Sequence, residues 1–212
     1  MRLLLVTNDY PPKPGGIQQY LGNLVDAHDG DVRVLAPADG PAANSRGESV
    51  VRRHPSAGFM WPTPAVAAWL EAEAAVYRPD AVLFGAPHPL PALAARIRDA
   101  TGAPIGVLCH GAEVRVPGAF PGTRQGLAAM LRRADVLFAV SRSTQSMVGR
   151  MTGRDPILIG AGVDGDTFRP GPSRRDQAPA DRPRSAPPVV GCVSRFVPRK
   201  GHARVIDAVA EL

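Results

Sequence analysis

Residues 7–25 read TNDYPPKPGGIQQYLGNLV, directly after the apolar run RLLLV of residues 2–6. A short apolar run followed by a proline-rich loop, two adjacent glycines and a helical pattern is a strand–loop–helix unit. Within residues 17–27 the apolar positions Ile17, Tyr20, Leu21, Leu24 and Val25 fall on one helical face. In an open parallel sheet, ligands bind beyond the carboxyl ends of the strands. Gly15 and Gly16 sit at such an end. Glycine lets a backbone approach a ligand closely, and the helix behind it turns free N–H groups and its positive dipole end toward the loop. This suits a phosphate; a tight turn serving the fold alone explains the segment as well. The spacing is neither G-x-G-x-x-G nor that of a P-loop.

The same alternation continues along the chain. Residues 32–36, 50–53, 81–85 (AVLFG), 105–109 (IGVLC), 136–140 (VLFAV) and 157–159 read as strands. Residues 64–77, 90–100 and 125–133 read as helices, and Ser141 is placed to cap another. Continuous apolar strands alternating with helices predict an α/β domain: an open parallel sheet with helices on both faces, Rossmann-like in plan. Residues 41–49 read as a polar loop. Residues 169–188, RPGPSRRDQAPADRPRSAPP, lack apolar periodicity and read as a Pro/Arg-rich linker. Residues 189–212 repeat the opening logic of strand (189–194), glycine-containing loop and helix from about His202. The expected organisation is therefore a first domain over 1–168, a linker, and the opening of a second domain over 189–212.

Composition narrows the class. At 44% hydrophobic residues, 212 residues suffice for a packed core, and no run approaches the ~18 apolar residues of a membrane helix. Cys109 and Cys192 match no metal or redox spacing. These features predict a cytoplasmic protein. The net charge is +6, and all but two of the 25 basic residues are arginine, the exceptions being Lys13 and Lys200. A basic face meets polyanions, though arginine, alanine and proline bias also follows from a GC-rich genome. Without an aromatic stacking platform or a known motif, nucleic acid is not expected as a partner. A nicotinamide-dependent dehydrogenase is excluded by the missing G-x-G-x-x-G turn.

Four further segments carry candidate chemistry. CHGAEV (109–114) puts His110 just past a buried strand, with Gly111 giving room and Glu113 in the same loop. Cys109 and His110, adjacent on a strand end, point to opposite sides, which disfavours a Cys–His nucleophile pair. SRFVPRKG (194–201) flanks a loop with Arg195 and Lys200 before a helix start. A guanidinium fork, an ammonium and a helix N-terminus suit a diphosphate, although an ordinary solvated loop reads the same. IGAGVDGDTFRP (159–170) is a turn-rich exit from the last strand. RQGLAAMLRR (124–133) sets Arg124, Arg132 and Arg133 beside the stripe Leu127, Met130 and Leu131. Such a helix either lies on an anionic bilayer or packs its stripe on the sheet.

Taken in order, Gly15-Gly16, His110-Gly111-Ala112-Glu113, Gly162-Val163-Asp164 through Phe168 and Pro170, and Arg195-Phe196 through Lys200-Gly201 resemble the motifs of the family-four retaining glycosyltransferases, which have the GT-B fold. The stretches TNDYPPKPGGIQQYLGNLV, VVRRHPS and VSRFVPRKG resemble the actinobacterial mannosyltransferases that extend phosphatidylinositol mannosides. The resemblance implies transfer of a hexose, mannose from GDP-mannose, with retention, to a lipid-linked acceptor. The work would be done at the inner face of the plasma membrane, by a peripheral protein needing no metal or other cofactor. It implies that Gly15, Gly16, Arg195 and Lys200 hold the donor diphosphate, that His110 bonds the transferred sugar, and that Asp9, Tyr10 and Gln18 hold the acceptor. Glu113 is a further possible site residue, and no covalent nucleophile is implied. The family binds its donor's ribose and sugar with acidic residues late in the second domain, beyond Leu212. The expectation is that these 212 residues alone transfer sugar poorly, or act as a non-catalytic acceptor-binding remnant or a half-enzyme needing a partner.

Overall fold

The structure, a computed structural model, describes residues 1–38, 50–169, 190–194 and 196–211. The expected loop at 41–49, Arg195, and nearly all of the 169–188 linker lie outside them. The chain forms two compact units, Met1–Val163 and Asp164–Leu212.

In the first unit, strands β1 (Leu3–Val6), β2 (Val32–Ala38), β3 (Val51–Ala57), β4 (Ala81–Phe84), β5 (Ile105–Cys109), β6 (Val136–Ala139) and β7 (Ile157–Leu158) form one sheet. Its order is β3-β2-β1-β4-β5-β6-β7, and every pairing is parallel. The helices are α1 (Gly16–Asp26), α2 (Pro64–Tyr77), α3 (Ala94–Thr101), α4 (Ala112–Gly118), α5 (Pro121–Arg132) and α6 (Arg142–Thr152).

Side-chain alternation along the strands explains why both faces need cover. Leu4, Val6, Val82, Phe84, Ile105, Val107 and Leu137 join one core with Leu70 of α2, Ile97 of α3, Leu131 of α5 and Val148 of α6. Leu5, Val34, Leu83 and Leu108 join the other with Leu21 and Val25 of α1. A strand buried on both faces cannot show polar alternation, which is why these runs read as continuous apolar stretches.

Several boundaries differ from the sequence reading. β3 runs on to Ala57, past Arg53. Residues 90–93 form a 3₁₀ turn, and the α-helix starts only at Ala94. α5 begins at Pro121, which suits the first helical position because its missing N–H has no partner to lose there. Ser141 does cap α6, accepting from Thr144 N at 3.1 Å. In the second unit, Val190–Ser194 carry no strand; that expected element is absent among the described residues. A 3₁₀ turn (Pro198–Lys200) leads into helix α7 (His202–Ala210). Among the described residues, no helix is long and apolar enough to cross a membrane.

Candidate active site at the carboxyl edge of the sheet

Strand order reverses direction between β1 and β4, which places the ligand crevice of such a sheet at the loops that follow these two strands. The loop after β1 is tightly held. Asp9 N donates to Thr7 Oγ1 at 2.9 Å. The buried Asn8 clamps the chain after β3: its Nδ2 donates to Met60 O at 3.1 Å, and Met60 N donates to its Oδ1 at 2.6 Å. Gln18, buried on α1, donates from Nε2 to Asp9 Oδ1 at 2.6 Å, so Asp9 is oriented from the helix side. Tyr10 is only 4% exposed and belongs to the α1-side core, where it supports the loop from beneath.

The two glycines have different tasks. Gly15 precedes α1 with an extended backbone, and a Cβ there would lie 2.1 Å from Gln18 Oε1. It leaves room for the side chain that holds Asp9. A Cβ on Gly16 would meet nothing within 4 Å. Gly16 therefore opens onto free space at a helix start that no side chain caps and whose own first turn holds no acidic residue. That end can accept an anion on its backbone N–H groups.

The loop after β4 carries Gly85, whose carbonyl accepts from His110 Nε2 at 2.9 Å. A carbonyl can only accept, so Nε2 is the nitrogen that carries a proton and donates here. Tyr20 packs against this ring in a T-shaped arrangement, 5.4 Å between centroids at 85°, and Tyr20 is itself held by its hydroxyl donating to Gly160 O at 3.0 Å. Burial raises the Tyr20 pKa, keeping that hydroxyl a donor. Thr144 Oγ1 donates to His110 O at 3.2 Å. His110 is thus fixed at its ring, its amide and its carbonyl.

Glu113 lies in the first turn of α4 instead of in a loop. Its Oε1 accepts from both His110 N and Gly111 N, which caps the helix and shapes the His110 turn. Gly111 sits at φ 140, a conformation that favours glycine. Cys109 is fully buried, and desolvation, with the Glu113 charge adding to it, pushes its thiol up to about 12. It has no thiolate to offer at neutral pH.

In the second unit, Lys200 ends the 3₁₀ turn with an exposed side chain that has no ion-pair partner among the described residues. Gly201, at φ 71, starts α7, whose N-terminus no side chain caps. The His202 ring stacks on Phe196 at 4.6 Å and contacts Ser194 Oγ at 3.0 Å. Asp164 organises the exit loop: Thr167 Oγ1 and the amides of Asp166 and Thr167 donate to it, and they hold its carboxyl below the ordinary range.

The structure divides the three arginines of the 124–133 segment. Leu127 and Leu131 are buried, so the apolar stripe packs inward on the sheet. Arg132 donates to Thr152 O at 3.0 Å and Met151 O at 3.3 Å, tying α5 to the end of α6. Arg124 and Arg133 have no side-chain partner among the described residues.

The sequence reading brought Asp9, Gly15, Gly16, Gln18 and His110 to one sheet edge. It missed Asn8, Gly85, Tyr20 and Met60, which hold them. The glycine ending AVLFG was the available signal for Gly85: a Cβ there would come within 2.9 Å of Leu21 Cδ1 and of Thr7 Cβ and Oγ1.

Known proteins share this framework. Over 99% of its length the chain is 39% identical to a GDP-mannose-dependent alpha-(1-6)-phosphatidylinositol monomannoside mannosyltransferase of Mycolicibacterium smegmatis. It is 32% identical to a GDP-mannose-dependent monoacylated alpha-(1-6)-phosphatidylinositol monomannoside mannosyltransferase of Corynebacterium glutamicum. It spans 57% of the length of each. Anabaena Alr3699/HepE, solved with UDP, matches all of this chain with 58% of its own at a TM-score of 0.72 and 22% identity, which shows a shared fold. The family description Glycosyltransferase Family 4 matches residues 14–167, and the chain belongs to that family.

Proposed function

We propose that this chain is the acceptor-side part, with the first segment of the donor side, of a mannosyltransferase that moves mannose from GDP-mannose to a phosphatidylinositol mannoside. The observation that supports the reading most is the 39% identity, running along nearly the whole chain, to a mycobacterial enzyme named for that donor and acceptor. The edge geometry fits the chemistry. The open α1 start at Gly16 receives a donor phosphate on its backbone N–H groups. Lys200 and Arg195 belong to the second unit, and the role proposed for them rests on the motif they share with the family: cations that neutralise a departing diphosphate. His110, with Nε2–H committed to Gly85 O, offers Nδ1 to a hydroxyl of the transferred sugar. Asp9, oriented by Gln18, accepts from an acceptor hydroxyl. A lipid-linked acceptor requires the protein to work at a membrane surface, and its anionic lipids attract an arginine-rich face.

Donor competition tests this reading. The gene product, purified from its own cells, is given radiolabelled GDP-mannose or UDP-glucose with phosphatidylinositol monomannoside in vesicles. Label transferred from GDP-mannose to the lipid is expected. Transfer from UDP-glucose alone overturns the assignment of the donor.

A further inference from the structure

Tyr20 joins three parts of the first domain that are remote in sequence. It stands on α1, and its ring meets the His110 ring with 5.4 Å between centroids at 85°. Its hydroxyl donates at 3.0 Å to the carbonyl of Gly160, 140 residues away along the chain. The helix that carries it is firmly seated, with Leu21 and Val25 buried in the α1-side core. Leu21, the next residue, also packs on Gly85, where a Cβ would lie 2.8 Å from its Cδ1. Gly85 supplies the carbonyl that receives His110 Nε2. Two consecutive residues of α1 thus back His110, one behind its acceptor and one against the ring itself.

The two contacts on the His110 ring differ in what they fix. A hydrogen bond holds Nε2 at one point and leaves the ring free to tilt about it. The T-shaped contact with Tyr20 takes up that freedom, so the direction of Nδ1 follows the Tyr20 ring. Tyr20 is only half-buried, and with one side open to solvent its ring is not held by packing alone. The hydroxyl bond is its second anchor.

That anchor lies where the chain leaves the sheet. β7 is two residues long, and Ile159, just after it, donates its N–H to Ala139 O at 3.0 Å. Gly160 then turns at φ 66, in the region that favours glycine. Val163, which ends the first unit, is exposed. Among the described residues, the Tyr20 bond is the one hydrogen bond made by residues 160–163. The exit segment and the His110 ring therefore share a single holder.

We propose that Tyr20 is a positioning residue for His110 and couples it to the exit segment: the Gly160 carbonyl holds the Tyr20 hydroxyl, and the ring so held sets the tilt of the imidazole. The proposal rests on the reading of His110 as the group that contacts the transferred sugar, and it adds the residue that aims that group.

The ring N–H signals of the chain labelled with nitrogen-15 at histidine test the geometry without a transfer assay. His110→Gln assigns the His110 Nε2–H signal by its loss. Tyr20→Phe keeps the ring and removes the hydroxyl, and exchange of that proton with water is expected to rise about fivefold, the worth of one neutral hydrogen bond. Tyr20→Leu removes the ring as well and is expected to raise it about thirtyfold, the aromatic contact being lost too. Gln19→Ala, whose native side chain bonds to Asn23 on the same helix, should leave the signal as it is. Melting temperatures confirm that the variants fold. In the mannose-transfer assay the two Tyr20 variants should lower kcat in the same order, with the KM for GDP-mannose changed less than about twofold. Tyr20→Leu should add nothing to His110→Ala, because both act through one ring. Unchanged proton exchange in Tyr20→Phe would overturn the coupling to Gly160, and unchanged exchange in Tyr20→Leu would overturn the positioning role with it. Losses of kcat that add in the double variant would show that Tyr20 acts elsewhere and also overturn the proposal. Absence of mannose transfer by the wild type would remove the proposed reaction and not the positioning, which the ring proton reads by itself.

Discussion

Gln18 Nε2 reaches across from the first turn of α1 to donate to Asp9 Oδ1 at 2.6 Å, and Gly15 is the residue whose lack of a side chain leaves it room to do so. The glycine pair is therefore two devices. Gly15 protects an internal hydrogen bond, and Gly16 clears a helix start for an anion.

Replacing Gly15 by Ala puts a methyl on Gln18 Oε1 and forces that side chain away from Asp9. Both Gly15→Ala and Gln18→Ala are expected to raise the acceptor KM about tenfold, the worth of one hydrogen bond to a carboxylate. The double variant should be no worse than the poorer single one, because both remove the same contact. Steady-state kinetics with varied acceptor reads this. Additive losses would show that Gly15 acts by another route.

Gly85→Ala has a different character. Its Cβ would meet Leu21 Cδ1 at 2.8 Å and Thr7 Cβ and Oγ1 at 2.9 Å, within the packed sheet. Overpacking of this kind costs about 1–3 kcal/mol. The shift also moves the carbonyl that anchors His110. Urea unfolding should show the lost stability, and kcat should fall with it. A variant of wild-type stability would mean that this edge is softer than the contacts indicate.

Asp135 supplies a pH prediction. Arg98 Nη2 donates to its Oδ2 at 2.8 Å and Ile105 N donates at 2.7 Å, and these bonds, led by the Arg98 one, hold its carboxyl below the ordinary range. A depressed folded-state pKa contributes stability above the unfolded carboxylate value of about 3.9, and that contribution is lost as the pH falls through the folded value. The stability gap between wild type and Asp135→Asn should be present at pH 6 and shrink below about pH 4. Denaturant midpoints measured at both pH values check it. A gap that widens on acidification would contradict the assignment.

The sheet was legible because buried parallel strands announce themselves as short apolar runs. Residues 3–6, 81–84 and 105–109 could hardly be read otherwise. α4 was not legible: seven residues containing Pro117 carry too little periodicity, and the feature that starts the helix, Glu113 folding back on the amides of His110 and Gly111, is a tertiary detail of the loop. The carboxyl edge could be located from glycines and polar residues following strands. The clamp between Asn8 and Met60 could not, because those partners are 52 residues apart and neither carries a motif. The arginines of α5 looked alike in sequence. Only their partners separate Arg132, which holds α6, from Arg124, which has no side-chain partner among the described residues.

Under the proposed function, sugar transfer takes place at the edge carrying Gly16 and His110. The measurement that tests it most directly is kcat for mannose transfer by His110→Ala, beside its melting temperature. Loss of a contact to the reacting sugar predicts a fall of about 10²-fold or more in kcat, of the order seen when one transition-state donor is removed, with the fold retained. Unchanged kcat in a folded His110→Ala variant would contradict the account and move the chemistry elsewhere.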